Sequence, residues 1–232
     1  MNNLAAAPKT RIRFEPFHIS EEKRAQIDGK RWKTGTSSAQ FLNDHIFSTE
    51  GDVDTVGSKL FFFHCREDAR SADIWQHLKD RKDIKVVFLN RRNLLDRHFS
   101  DLRAQKSGIW HPKTGSDWSA DYAEAVEIKV NIPRMMNQLN SLYATLHNVK
   151  RDFKDHDVLN VTYENLAPRS EIILSKVKAF LSIEDTGMQS PFRSGTLTSE
   201  TLRILNKKEI VDRLRASVFS RYLDTSAVLR EH

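Results

Sequence analysis

Cysteine is almost missing from this chain. Its 232 residues hold one, Cys65, so no internal disulfide is expected and a reducing cytoplasm is the simplest setting. No apolar run approaches the roughly 20 residues a membrane helix needs, so no transmembrane segment is expected. Met1–Thr10 has no charged stretch followed by an apolar core, which argues against a signal peptide. There is no zinc-ligand spacing and no block of consecutive basic residues. Nor is there a basic stripe interleaved with aromatics, so neither a metal site nor a nucleic-acid face is expected. Internal repeats, a Ser–His–Asp order and a two-metal carboxylate pattern are all lacking.

What is present describes a globular α/β protein. Hydrophobic residues make up 39% and charged residues 29%, the balance of a chain that buries a core rather than staying disordered. The length suits one α/β domain or at most two small ones, and a single domain spanning residues 1–232 is expected. Thirty-seven basic against 31 acidic residues give a net charge of +6. With no nucleic-acid pattern, that excess points to local anion sites or a generally basic surface.

The stretch from Ile84 to Ala104 organises the rest. Ile84–Leu89 is an apolar, β-branched run of the kind found in a buried parallel strand. It turns at Asn90-Arg91-Arg92-Asn93 into a helix with Leu94, Leu95, Phe99 and Leu102 on one side. Two arginines beside the free N–H groups of a helix start suit a phosphate, because the guanidinium is a planar forked donor and the helix start is positive. Ser100, two turns further on, is placed to bond the same anion. The plainer alternative is a solvated arginine pair.

Further strands are expected at Arg11–Phe17, Lys59–Phe63 and Val158–Tyr163. Helices are expected at Ala39–Phe47 with an N-cap at Ser37 or Ser38, Arg70–Lys79, Pro133 onward, Ser170–Leu181 and Leu202–Leu223. Together these predict a three-layer α/β fold, a mostly parallel sheet flanked by helices. Glu15 ends the first strand, at the mouth where ligands of parallel sheets collect. His18, with an ordinary pKa near neutrality, is a second candidate for proton transfer. Trp110 and His111 lie in a long loop. They either stack on a sugar or, for Trp110, anchor the loop to the core. Lys33–Ser38 has the small residues and lysine of an anion nest, but no apolar strand precedes it as a phosphate loop requires.

Four short motifs, in order, carry a resemblance. Val86–Asn93 followed by Ser100 looks like the 3′-phosphate-binding element of sulfotransferases that use 3′-phosphoadenosine 5′-phosphosulfate (PAPS). Glu15-Pro16-Phe17-His18 is similar to the stretch holding the proposed base in those enzymes. Gly57-Ser58-Lys59-Leu60 resembles their Gly-x-Lys-Leu strand, and Tyr163-Glu164-Asn165-Leu166 their Tyr-Glu-Asp-Leu signature. The likeness is to bacterial carbohydrate and glycolipid sulfotransferases of the nodulation-factor and trehalose type. It implies their P-loop-like nucleotide-hydrolase fold, with Arg92 and Ser100 on the 3′-phosphate, Arg91 also in the cofactor site and Tyr163 flanking the adenine. It further implies Glu15 or His18 as base, a carbohydrate or glycolipid acceptor, and no metal. Lys207 stands where the family has an aromatic. The family's first strand and Arg-Thr-Gly-Ser/Thr loop, which cradle the 5′-phosphosulfate, have no counterpart in this sequence, so impaired donor binding is expected. The competing expectations are a non-catalytic binding module on a degenerate sulfotransferase fold, and a P-loop kinase using Lys33–Ser38.

Overall fold

The computed structural model describes residues 4, 7–66, 68–110, 125–166, 170–184 and 201–229. Their elements, in order, are β1 (Thr10–Arg13), α1 (Ser38–Phe41, continued by a π turn over Leu42–Ile46), β2 (Thr55–Ser58), α2 (Asp73–Asp80), β3 (Lys85–Asn90) and α3 (Leu94–Ser107). Then follow β4 (Val126–Ile128), α4 (Ile132–Asp152), β5 (Asp157–Thr162), α5 (Tyr163–Leu166), α6 (Ser170–Leu181), β6 (Leu202–Ile204) and α7 (Lys207–Arg215). This is a mixed α/β structure with short parallel ladders. The described strands pair two by two, β1 with β2, β3 with β5 and β4 with β6, rather than as one continuous sheet. The first and last of these pairs are parallel.

The described residues fall into two compact units. The first takes those up to Leu89, those of Asn148–Val161 and those within 168–192; the second takes Asn90–His147, 162–167 and those from 193 on.

In the first unit the core gathers Phe17, Ile27, Trp32, Leu42, Ile46, Ile74, Leu78, Phe88 and Phe153. Phe17 meets Trp32 edge-on at 5.2 Å, a favoured arrangement of ring quadrupoles. β1 pairs with β2 in the register Thr10 to Thr55 through Arg13 to Ser58. Two expected strands are corrected here. β1 stops at Arg13 rather than Phe17, because Glu15 takes a left-handed φ of 42°, which strand geometry does not allow. The second strand is Thr55–Ser58, not Lys59–Phe63. The aromatic run is instead a turn, closed by the His64 N–H donating to the Phe61 carbonyl at 3.0 Å.

In the second unit Leu95, Phe99, Met135, Leu139, Ile210 and Leu214 are fully buried together. The long helix α4 begins as expected and places Met135 and Leu139 inward. The expected helix Leu202–Leu223 is also corrected. Leu202 and Ile204 are buried on β6 with Arg203 outward, the period of a strand; helix resumes only at Lys207. Asn206 fastens that junction. Its Oδ1 accepts from the Val130 N–H at 2.9 Å and its Nδ2 donates to the Val130 carbonyl at 3.0 Å. Asn206→Ala strands both backbone groups in a buried place, and is expected to cost about 2–3 kcal/mol of unfolding free energy in a urea titration. A loss under about 0.5 kcal/mol contradicts that role.

Candidate functional site

Two strand ends carry the polar clusters, one in each unit. In the second unit the chain leaves β3 at Asn90 and reaches α3 through Arg91, Arg92 and Asn93. Asn93 is the N-cap: its Oδ1 accepts from the Leu95 and Asp96 N–H groups at 3.0 and 3.1 Å. Its own amide donates to the Tyr222 carbonyl and the Thr225 hydroxyl, both at 2.9 Å. Gly108, at a φ of 74°, closes the other end of the helix, as a left-handed residue past a helix terminus does.

The helix start is not free, as the sequence suggests, but already holds a carboxylate. Glu164, on α5, accepts from the Arg92 N–H at 2.8 Å and the Asn93 N–H at 3.4 Å through Oε1. Its Oε2 lies 3.9 Å from Arg92 Nε. Arg92 Nη2 donates to Asn165 Oδ1 at 3.0 Å, and the arginine side chain is 64% exposed. Arg91 lays its guanidinium 4.2 Å from the centre of the Tyr163 ring. Arg91, Arg92, Tyr163 and Glu164 therefore meet in one cluster. Ser100 is half-buried on α3, and its hydroxyl bonds to none of the described residues. Asn90 Oδ1, Thr162 Oγ1 and Glu164 Oε2 are buried acceptors with no hydrogen bond among the described residues. Sequence reasoning missed Glu164 as the occupant of this helix start, and its place in a tyrosine-led motif was the only signal.

In the first unit Glu15 meets Lys59, whose Nζ donates to Oε1 at 2.5 Å. His18 Nε2 is 3.8 Å from Oε2. His18 Nδ1 accepts from the Ser20 N–H at 2.9 Å, which leaves the proton on the nitrogen that faces Glu15. Burial pushes the Glu15 carboxyl up, but the Lys59 hydrogen bond and charge, with His18, outweigh it and hold the carboxyl below its usual range. His64, almost wholly buried, is pushed down to about 4 by desolvation. Lys59 and His64 complete this cluster; the first was legible only as part of the Gly-x-Lys-Leu motif.

Two further residues expected at a site are Trp110 and His111. Trp110 is 57% exposed, and His111 lies outside the described residues. Ser37 is the N-cap of α1, as expected, accepting from the Gln40 N–H. Asp73, however, fills the nest at Lys33–Ser38. Its Oδ1 accepts from the Ser38 and Ala39 N–H groups and the Ser38 hydroxyl, each at 3.0 Å, and its Oδ2 from the Ser37 hydroxyl. A phosphate there would have to displace a carboxylate built into the fold.

No family model matches the chain, and neither a curated protein nor a solved structure matches it.

The buried histidine sets a pH dependence. Its folded pKa of about 4 lies below the ordinary value of 6.5, so between those values the unfolded chain carries the extra proton. Stability is then greatest above pH 6.5 and falls as the pH drops towards 4, by on the order of 2 kcal/mol from this group. Glu15, whose pKa is lowered, contributes stability that is present above its ordinary 4.5 and is lost as the pH falls from there through its folded value. Urea titrations at pH 7 and 4.5 should show the fall in the wild type and a smaller one in His64→Gln; equal falls contradict the assignment.

Proposed function

We propose that this chain is a PAPS-dependent sulfotransferase, on the three-layer P-loop-like fold of that family, acting on a hydroxyl of a carbohydrate or glycolipid. The observation that carries the reading is the pair Arg91 and Arg92 at the exit of β3, with Arg91 lying against the Tyr163 ring. A guanidinium that is exposed and forked grips the two oxygens of a terminal phosphate, and an aromatic ring beside it offers a face to a purine. Arg92 holds the 3′-phosphate, Ser100 adds a hydroxyl donor and Tyr163 flanks the adenine.

Glu15 takes the acceptor proton. It is ionised, the form that accepts one, and the Lys59 hydrogen bond makes it a weak base. The hydroxyl oxygen attacks sulfur in line, the bond from sulfur to the 5′-phosphate oxygen breaks, and adenosine 3′,5′-bisphosphate leaves. His18 steadies Glu15 from its other oxygen. Trp110 and His111 are assigned to the acceptor.

Calorimetric titration with adenosine 3′,5′-bisphosphate tests the donor side. Charge-assisted bonds from Arg92 to a phosphate contribute about 1.5–3 kcal/mol, so Arg92→Ala should weaken binding about 10- to 100-fold. Adenosine 5′-monophosphate, lacking the 3′-phosphate, should bind the wild type and Arg92→Ala alike. Equal affinity of both proteins for the bisphosphate refutes the reading.

A further inference from the structure

In the second unit β4 runs beside the last turns of α3. The space between them is a groove of about 390 Å³, lined by Leu102, Gln105 and Lys106 from the helix and by Glu127, Ile128 and Lys129 from the strand. The helix residues are spaced i, i+3, i+4, one stripe along the axis. The strand residues are consecutive. Successive side chains of a strand point to opposite faces, so consecutive residues line one groove only where the groove follows the strand's edge.

The hydrogen bonds identify which edge this is. The Leu205 N–H donates to the Ile128 carbonyl at 3.0 Å, and the Asn206 side chain takes both the N–H and the carbonyl of Val130. Ile128 and Val130 therefore turn their backbone groups towards β6. Glu127 and Lys129, which alternate with them, turn theirs the other way, into the groove. Among the described residues β4 pairs with β6 alone, so the N–H and C=O groups of Glu127 and Lys129 meet no strand there. An edge of this kind is a template for another chain.

The charge around the groove selects the guest. Its floor is apolar, from the half-buried Leu102 and Ile128. Glu127, the one carboxylate of the lining, is held by Arg203, whose Nη1 donates to Oε1 at 2.8 Å. Lys106 and Lys129 are exposed, and no carboxylate among the described residues pairs with either. We propose that the groove is a docking site for an extended acidic peptide, which joins β4 as an added strand. Its main chain bonds to the backbone of Glu127 and Lys129, an apolar side chain rests on Leu102 and Ile128, and its carboxylates meet Lys106 and Lys129. A helical ligand is discriminated against, because its own turns use the N–H and C=O groups that the strand edge requires. The groove shares no residue with the Glu15 cluster or the Arg91–Arg92 turn, and is independent of the proposed reaction.

Fluorescence anisotropy with the full chain tests the docking site, using short capped and labelled peptides in which glutamate alternates with valine, leucine or phenylalanine. At least one should bind, and its counterpart with lysine in place of glutamate should bind about tenfold more weakly or worse. N-methylation of its main-chain amides keeps the charge but removes the strand donors, and should abolish binding. The double variant Lys106→Glu/Lys129→Glu changes two exposed side chains; thermal melts by circular dichroism confirm that it folds. It should bind the acidic peptide about tenfold more weakly than the wild type. Failure of every acidic peptide to bind the wild type overturns the proposal, as does undiminished binding to the folded double variant. Equal binding of the N-methylated peptide overturns it too, since attachment is then by charge alone. Light scattering separates a peptide from a second copy of the chain. A wild-type dimer that the double variant lacks gives the groove to the second copy and overturns the peptide assignment; a monomer in both agrees with it.

Discussion

The carboxylate of Glu164 on the turn between β3 and α3 is the contact on which the order of that turn depends. A helix start has N–H groups without partners inside the helix, and some anion or oxygen must meet them. Glu164 and Asn93 share that duty, Glu164 on the Arg92 and Asn93 N–H groups and Asn93 on those of Leu95 and Asp96. The N–H groups of Asn93, Leu95 and Asp96 at the helix start are thereby met from within the chain. What the turn still offers a ligand is its side chains: the exposed fork of Arg92 and the guanidinium of Arg91. Two cations stand beside one carboxylate at this turn, and Asp101 also faces Arg91.

The same device recurs in the first unit. Asp73 meets the N–H groups at the start of α1, and Lys59 meets Glu15 at the end of β1. In both units the residues resembling a binding motif are engaged by a partner of opposite character from a distant part of the chain. Such pairings keep strand ends rigid and desolvated groups compensated. Any ligand binding at these places would compete with an internal partner.

Local order was legible from the sequence where one period dominated. The apolar, β-branched run of β3, the strand β5 and the helix α6, found at Ser170–Leu181 as expected, are of this kind. Ser37 was legible as a cap because short oxygen-bearing side chains favour that position. The reading went wrong where a short apolar run had two meanings. Leu60–Phe63 reads as a strand by composition, but the His64 hydrogen bonds to Phe61 close it into a turn. Leu202–Ile204 is three residues long, too short for its alternation to stand out from the helical spacing of its neighbours. Arg92 and Glu15 were legible as candidates; Glu164, 72 residues from Arg92, was not, because no local pattern encodes a contact of that separation.

Glu164→Gln isolates the central contact. The amide oxygen keeps the hydrogen bonds from the Arg92 and Asn93 N–H groups and removes only the charge. If an internal carboxylate restrains the anion site, adenosine 3′,5′-bisphosphate should bind the variant about tenfold more tightly than the wild type at low salt, with the gain shrinking as salt rises. Unchanged or weaker binding at every ionic strength would contradict the account.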